Sequence, residues 1–425
     1  MRRLACLASL AKLIFLAMVV ASVQGNLAHA QATETEERDD DTIRVISVSQ
    51  VVDFPSGIWL ELEAEADSDI VDIKIVYRIA KHDSTVYGYP EFIPGQRVRS
   101  RFKIPTNGSS YMPSGVRIQY HYIVRDAKGV NLKSPTYGFV YLDPRHDWRE
   151  YRVGFINLLT HGIPGDTVVE IALAANDRLE EMRGVYGLDV VQSKTGVIFN
   201  NRREAGQGFP LVSNTARAEH VYGGFAFSQF DLFALVGLDS NGMVHEMSHL
   251  LLHDAVDNPV SMIPAWLNEG LAMYFEGTSS HRQLEVEKAI REGRLLYLRN
   301  MNLVPGRPED VRLFYAQSWS IVTFMFDAYG SNRMTDLIMV INEGARVDDA
   351  IKEVFGITID QLEGAWNTKV TSQTPLASKP DLLTISSYFL VAMALVFSTT
   401  VLALHWTVRR VSRSRRDEDL SAEQI

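Results

Sequence analysis

The apolar residues of this 425-residue chain change their period near residue 150, and that change limits which folds it can reach. From residue 43 to residue 143 they recur at every second position. Ile58, Leu60, Leu62 and Ala64 share one face of an extended segment, and Val71, Ile73, Ile75, Tyr77 and Ile79 share another. Val98, Phe102 and Ile104 alternate with Arg97, Arg99, Arg101 and Lys103, and Val116, Ile118, Tyr120, Tyr122 and Val124 form a fourth case. A period of two belongs to strands buried on one side. Breaks at Asp67-Ser68-Asp69, Pro94-Gly95, Thr106-Asn107-Gly108-Ser109 and Ala127-Lys128-Gly129 separate them. About 100 residues carrying roughly six or seven strands predict an immunoglobulin- or fibronectin-like β-sandwich over residues 43–147. The Arg97–Lys103 stripe reads as the solvated face of an exposed strand, or as a surface for an anionic polymer.

Beyond residue 150 the pattern becomes mixed and then helical. Tyr151 to Leu159 reads as a short strand. Gly165 to Gly184 reads as a helix, with Val168, Ile171, Ala172, Ala175 and Leu179 on one side. Strands are expected at Gly196–Phe199 and Tyr222–Phe227, and helices near 281–296, 308–328, 331–342, 346–354 and 358–370. The chain as a whole is therefore expected to be α+β, a sandwich followed by a mostly helical domain over 150–372.

The ends of the chain carry membrane signals. Arg2, Arg3 and Lys12 precede or enter the apolar run Leu13–Val23, and Ala28-His29-Ala30 is a small-x-small site, so residues 1–30 read as a secretory signal. Residues 31–42 form an acidic linker unable to bury apolar surface. Leu382–Trp406 contains no Asp, Glu, Lys or Arg, and Arg409, Arg410, Arg413, Arg415 and Arg416 follow it. That run is long enough to span a bilayer, and the positive-inside rule places the tail, 407–425, in the cytoplasm. Residues 373–381 read as a stalk. The expected location is a bacterial cell membrane, single-pass, with the N-terminal domains outside. Removing the signal takes the net charge from −10 to about −13 (−10 minus 3), which argues against a nucleic-acid partner. Cys6, the one cysteine, lies within the signal, so neither disulfides nor thiolate metal ligands are expected in the mature chain.

The chemistry concentrates at His245-Glu246-Met247-Ser248-His249, set among Met243, Val244, Leu250 and Leu251. Helical residues four apart project from one face, so both imidazoles can reach one zinc ion. Glu246 is offset by one residue, beside the metal, where a general base takes a proton from activated water. Buried imidazoles and a buried carboxylate need partners, and a metal supplies them. Twenty residues after His249, the helical segment Pro264–Tyr274 offers Glu269 as a third ligand; by itself Glu269 is also an ordinary first-turn glutamate. Two histidines and a carboxylate leave one tetrahedral position open, as catalytic zinc requires. His253, one turn beyond His249, reads as a helix-end residue. Tyr315 could donate to a developing oxyanion or sit in the core.

His245–His249 followed by Trp266-Leu267-Asn268-Glu269-Gly270-Leu271-Ala272 resembles the gluzincin pattern of metallopeptidases, and more closely the peptidase MA-like group. Tyr315-Ala316-Gln317-Ser318 resembles the same group, in which such a helix packs behind the active-site helices. The resemblance spans roughly residues 150–370. It implies that His245, His249 and Glu269 hold one Zn2+ per chain and that Glu246 is the base. It also implies that an edge strand ahead of the His-Glu helix, here Gly223–Ser228, binds peptide backbone as an added strand. One position departs: related enzymes often carry an acidic residue four positions after the third ligand, and here that residue is Met273. The partner that fixes a ligand imidazole must then come from elsewhere.

The expected function is an outward-facing zinc endopeptidase, tethered to the lipid bilayer through 382–406 and acting on protein or peptide. Two other readings use the same residues: a catalytically silent surface binding or adhesion protein, and a zinc hydrolase acting on a non-peptide bond.

Overall fold

The structure, a computed structural model, describes residues 43–79, 85–211, 223–277 and 280–374. The signal, the acidic linker, the stalk beyond residue 374, the 382–406 run and the tail lie outside them. Among the described residues no helix is long and apolar enough to cross a membrane. The described residues up to Thr368 form one compact unit.

The N-terminal part is β-rich and is organised by one very long strand. The strands are β1 (Ile43–Asp53), β2 (Gly57–Ile79), β3 (Thr85–Gly88), β4 (Gly95–Pro105), β5 (Arg117–Asp126), β6 (Asn131–Lys133) and β7 (Tyr137–Val140). Sequence alternation placed two separate strands at 58–64 and 71–79, broken at Asp67-Ser68-Asp69. The chain instead runs straight through as β2, whose first half pairs with β1 and β4 and whose second half pairs with β3 and β5. The seven strands thus belong to one hydrogen-bonded sheet rather than to two separate ones. Register shifts at Glu65/Ile70 and Ile70/Asp72 mark the passage. Such irregularities also reset which side chains face inward: Ile70 is fully buried, whereas Val71, expected on the core face, is 42% exposed.

The Arg97–Lys103 stripe is neutralised within this sheet. Arg97 and Arg99 pair with Glu63, Arg101 pairs with Glu61, and Arg101 and Lys103 lie over the Trp59 ring. The face is a solvated, charge-balanced surface, with no run of free cations to hold a polyanion.

The second part combines a five-stranded sheet with helices. Its strands are β8 (Arg149–Val153), β9 (Ile156–Thr160), β10 (Lys194–Phe199), β11 (Gly224–Phe227) and β12 (Leu232–Val236), in the order β11-β12-β10-β9-β8. The expected strand at 151–159 is a hairpin, β8 turning into β9 at Gly154. β9, β10 and β12 run parallel, and β11 is antiparallel at one edge. The helices are α1 (Gly165–Val185), α2 (Arg202–Gly208), α3 (Ser240–Ala255), α4 (Ala265–Glu276), α5 (Ser280–Glu292), α6 (Pro308–Tyr329), α7 (Ser331–Asn342), α8 (Val347–Phe355) and α9 (Ile359–Gln373). β12 and α2 were not anticipated; both are short, with too few residues to show a period.

The two parts share apolar packing. One continuous core joins Ile58, Leu60, Ile73, Ile75, Ile118, Tyr120 and Tyr122 of the first sheet to Leu159, Val197, Phe199, Leu232 and Ala234 of the second. Across the seam, the Tyr111 hydroxyl donates to the Gly208 carbonyl at 2.8 Å, and Trp148 meets Phe199 edge-on with centroids 6.0 Å apart.

Candidate metal centre

Helix α3 begins at a well-formed cap: the Asp239 carboxylate accepts from the Gly242 amide at 2.7 Å. Met243, Val244, Met247, Leu250 and Leu251 face the core, and Ser248, also buried, exchanges a 2.6 Å hydrogen bond with Tyr186, the residue that follows α1. These contacts fix the roll of α3, so His245 and His249 point together toward α4.

Helix α4 is held at both ends. The Ala265 and Trp266 amides donate to Asn302 and Met301 carbonyls at 3.1 Å each. At the other end Arg178 donates to the Glu276 carbonyl at 2.7 Å, and Arg282 to the Gly277 carbonyl at 3.1 Å. The end groups that a helix leaves unpaired are thereby satisfied by identifiable partners. Gly270 permits α4 to lie directly against α6. A Cβ there would sit 2.6 Å from the Ser318 carbonyl oxygen and 2.5 Å from a Val322 methyl. Behind this contact, Gln317 of α6 exchanges two hydrogen bonds with the Leu296 backbone, at 2.6 and 2.9 Å.

The three expected ligands meet at one point. His245 Nε2 and His249 Nε2 are 3.3 Å apart, and Glu269 Oε2 is 3.7 and 3.8 Å from them. Two nitrogens each about 2.05 Å from a tetrahedral zinc would be separated by about 3.3 Å. The other ring nitrogens are already engaged. His249 Nδ1 is 2.9 Å from Asn268 Oδ1, and His245 Nδ1 is 3.2 Å from Glu276 Oε2. Both partners are acceptors, which puts the ring proton on Nδ1 and aims the two Nε2 lone pairs at each other and at a carboxylate. Lone pairs converging on a carboxylate are repulsive until a cation sits between them. The donor set therefore fits zinc.

Asn268 and Glu276 supply the imidazole partners that the sequence left unassigned at Met273, which is 97% buried and packs into the floor of the site. Later residues of α3 meet earlier residues of α4, so the helices cross antiparallel: His249 with Asn268, His245 with Glu276. Seven positions beyond Glu269, Glu276 lies two turns along on the same face. Arg282 anchors it, donating at 2.6 Å. Burial would raise the Glu276 carboxyl, but its bond to His245 and the Arg282 charge hold it below the usual carboxylate range. Burial would lower His245, and its bond to Glu276 with the surrounding carboxylates raises it instead.

Glu246 is 7% exposed, and burial pushes its carboxyl up against the pull of His245 and His249. Edge strand β11 comes up to it: a Cβ on Gly224 would be 2.8 Å from Glu246 Oε1. Among the described residues β11 pairs only with β12, so its outer edge faces the cavity. That cavity, of about 830 Å³, is bounded by Gly223–Ala226, by the metal-centre residues, and by Leu252, Val256 and Ile263 further along α3 and its exit. Tyr315 is half-buried and lines the cavity, while His253 is exposed at its margin.

A profile of the peptidase MA superfamily matches residues 212–372. No curated protein matches the sequence significantly. Among solved structures, similarity extends to an M1 zinc metallopeptidase from Deinococcus radiodurans, at 10% identity and a TM-score of 0.34, covering 73% of this chain and 90% of that one. A variant of that enzyme bound to a Tyr-Ser-Ala substrate gives 11% identity and a TM-score of 0.36, covering 75% and 92%. An aminopeptidase N family protein from Idiomarina loihiensis gives 11% identity and a TM-score of 0.34, covering 74% of each chain. The part of the chain that carries His245, His249 and Glu269 belongs to the peptidase MA superfamily and is a gluzincin-like zinc metallopeptidase domain.

Proposed function

We propose that this protein is an outward-facing, membrane-tethered zinc endopeptidase. The observation that carries the reading is the convergence of three ligand atoms beside a buried glutamate, with the edge strand β11 lining the same cavity. Zinc bound by His245, His249 and Glu269 supplies Lewis acidity, which polarises the scissile carbonyl and acidifies water. Asn268 and Glu276 hold the two imidazoles in the tautomer that leaves Nε2 free to ligate. Glu246 takes the proton of the attacking water and passes it to the leaving amine nitrogen; its raised affinity for protons suits it to both halves of that transfer. The β11 edge offers backbone hydrogen bonds to an extended substrate, and glycine at 223 and 224 lets that substrate come close to Glu246.

Cleavage within chains, rather than removal of N-terminal residues, is supported by how the cavity carboxylates are used. Among the described residues Asp239 caps α3, Glu276 binds His245 and Arg282, Glu269 is a ligand and Glu246 is the base. None is left to hold a free α-ammonium group. The tether is supported by the uncharged 382–406 run and the arginines after it.

The test compares the full-length protein in detergent with its Glu246→Gln form. Both should bind zinc at the centre, and only the former should cleave denatured casein and a peptide with a blocked N-terminus. Cleavage restricted to peptides with a free N-terminus would replace the endopeptidase reading. Zinc binding without any cleavage would favour a surface binding protein.

A further inference from the structure

In the loop that joins α3 to α4, two polar side chains turn inward and two apolar ones turn outward. The Asn258 side chain donates to the Asn342 carbonyl at 2.8 Å, and the Asn258 amide donates to the Asn342 side-chain oxygen at 3.1 Å. The Ser261 hydroxyl donates to the Ile341 carbonyl at 2.6 Å. All three bonds tie the loop to the end of α7. Between and beyond these anchors, Val260 is 72% exposed and Met262 is 83% exposed. Leu303, 80% exposed, stands on the loop ahead of α6. The two loops meet where the Ala265 amide donates to the Asn302 carbonyl at 3.1 Å. One exposed leucine is ordinary, but three apolar side chains on two joined loops call for an occupant. The bonds to α7 and to Asn302 prevent the loop from folding them inward.

The same loop also lines the cleft. Ser261 and Ile263, which alternate with Val260 and Met262 along the chain, face the cavity together with Leu252 and Val256. The cleft thus has two unlike ends. On the His245 side it holds Asp239, Glu276 and Arg282; beyond His249 it is lined by Leu252, Val256 and Ile263, with His253 exposed at the margin. We propose that Val260, Met262 and Leu303 form a docking surface for an unfolded, apolar stretch of the substrate chain, continuing from the segment held in the cleft. The proposal rests on the endopeptidase reading and names its substrate class: polypeptide that has lost its fold. The occupant follows from continuity. A chain leaving the cleft past Leu252 and Ile263 crosses the loop that carries Val260 and Met262. A bilayer or a second copy seated on these side chains would instead stand across the cleft mouth. Folded proteins keep their apolar runs buried, whereas an unfolded chain offers them in the extended form that pairing with β11 also requires. The anchored loops are already ordered, so docking on them loses little conformational entropy.

The experiment uses the full-length protein in phosphatidylcholine nanodiscs with two substrates. One is carboxymethylated casein, which is unfolded. The other is an N-terminally blocked casein peptide of about six residues, whose extended length of ~20 Å is too short to occupy the cleft and the loops together. Combining Val260→Ser, Met262→Gln and Leu303→Gln should raise KM for casein about 10-fold with kcat unchanged, and leave kcat/KM for the peptide as it was. Met262→Leu with Leu303→Met keeps the surface apolar and should keep the original KM. An unchanged KM for casein in the polar variant, or an equal loss on both substrates, overturns the proposal. A second readout needs no turnover. A photo-cross-linking side chain in place of Met262, in the Glu246→Gln form, should join to casein. Joining only to lipid or to a second copy overturns the proposal in favour of a bilayer or dimer contact. Failure of the endopeptidase reading looks different: the unaltered protein would cleave neither substrate, and the cross-link alone would decide docking.

Discussion

Gly270→Ala is the substitution that most directly probes how the metal centre is held. A methyl group at this position would lie 2.6 Å from the Ser318 carbonyl oxygen and 2.5 Å from Val322 Cγ2. An ordinary contact is about 3.5 Å, so α4 and α6 would have to part by roughly 0.9 Å. Val322 can rotate, but the Ser318 oxygen is helix backbone and cannot. Overpacking of this kind costs about 1–3 kcal/mol, and the backbone obstacle puts this case near the top of that range. Alanine returns about 1 kcal/mol of helix propensity, so the net loss should be about 1–2 kcal/mol. For a cooperative unit of roughly 300 residues that is a fall in melting temperature of about 1–3 °C. Glu269 is the neighbouring residue, and metal–ligand distances tolerate only about 0.2 Å of error. Zinc affinity should therefore fall as well, by about 10-fold or more. The assay is a thermal melt of the metal-free protein, followed by competition for zinc against a chelator. A variant with unchanged melting temperature and unchanged zinc affinity would refute the argument that contact with α6 sets the position of Glu269.

Three further outcomes are expected. Glu276→Gln should weaken zinc binding about 10–100-fold through loss of the charged partner of His245, measurable by the same competition; an unchanged affinity would mean that Asn268 alone orients the pair. Lys194→Met should cost about 3 kcal/mol in denaturant unfolding, since Lys194 is fully buried with Asp231 and Asp254 each 2.5 Å away, and its loss leaves two carboxylates facing one another. Adding Asp231→Asn and Asp254→Asn to Lys194→Met should restore most of that stability. His121 is held below the ordinary histidine range by burial and then by Lys133. The unfolded chain thus binds the extra proton first, and stability should fall as pH drops through about 6.5 toward the lower folded-state value. His121→Gln should flatten that slope in denaturation curves taken between about pH 7 and pH 5.

Much of the site is legible in the sequence because it depends on helical spacing. His245 and His249 share a face by virtue of four intervening bonds, and the long apolar periods after residue 165 locate most helices to within a few residues. What spacing cannot convey is how two helices approach each other. Asn268 and Glu276 become imidazole partners only because α3 and α4 cross antiparallel, an arrangement set by Gly270 and by contacts far along the chain. A search one turn beyond Glu269 finds Met273, which turns into the floor; the carboxylate stands a full turn further on. Lys194 is hidden for a related reason. It reads as a polar residue ahead of a strand, and its two partners lie 37 and 60 positions away. In the N-terminal sheet, strict alternation marks strands well but does not show that β2 continues through an Asp-Ser-Asp break, since the interruption is absorbed as register shifts.

The core that runs unbroken from Ile58 to Ala234 has a mechanical consequence. Separating the β-rich part from the peptidase part would expose apolar faces of both sheets, so the seam resists hinging and the chain up to Thr368 should melt in one cooperative step. The N-terminal sheet then cannot act as a swinging arm that delivers substrate. It is a rigid plinth, and whatever the first sheet touches on its outer face is held at a fixed distance from Glu246. Cutting the chain near residue 150 to obtain a minimal peptidase would yield an insoluble fragment rather than a smaller enzyme.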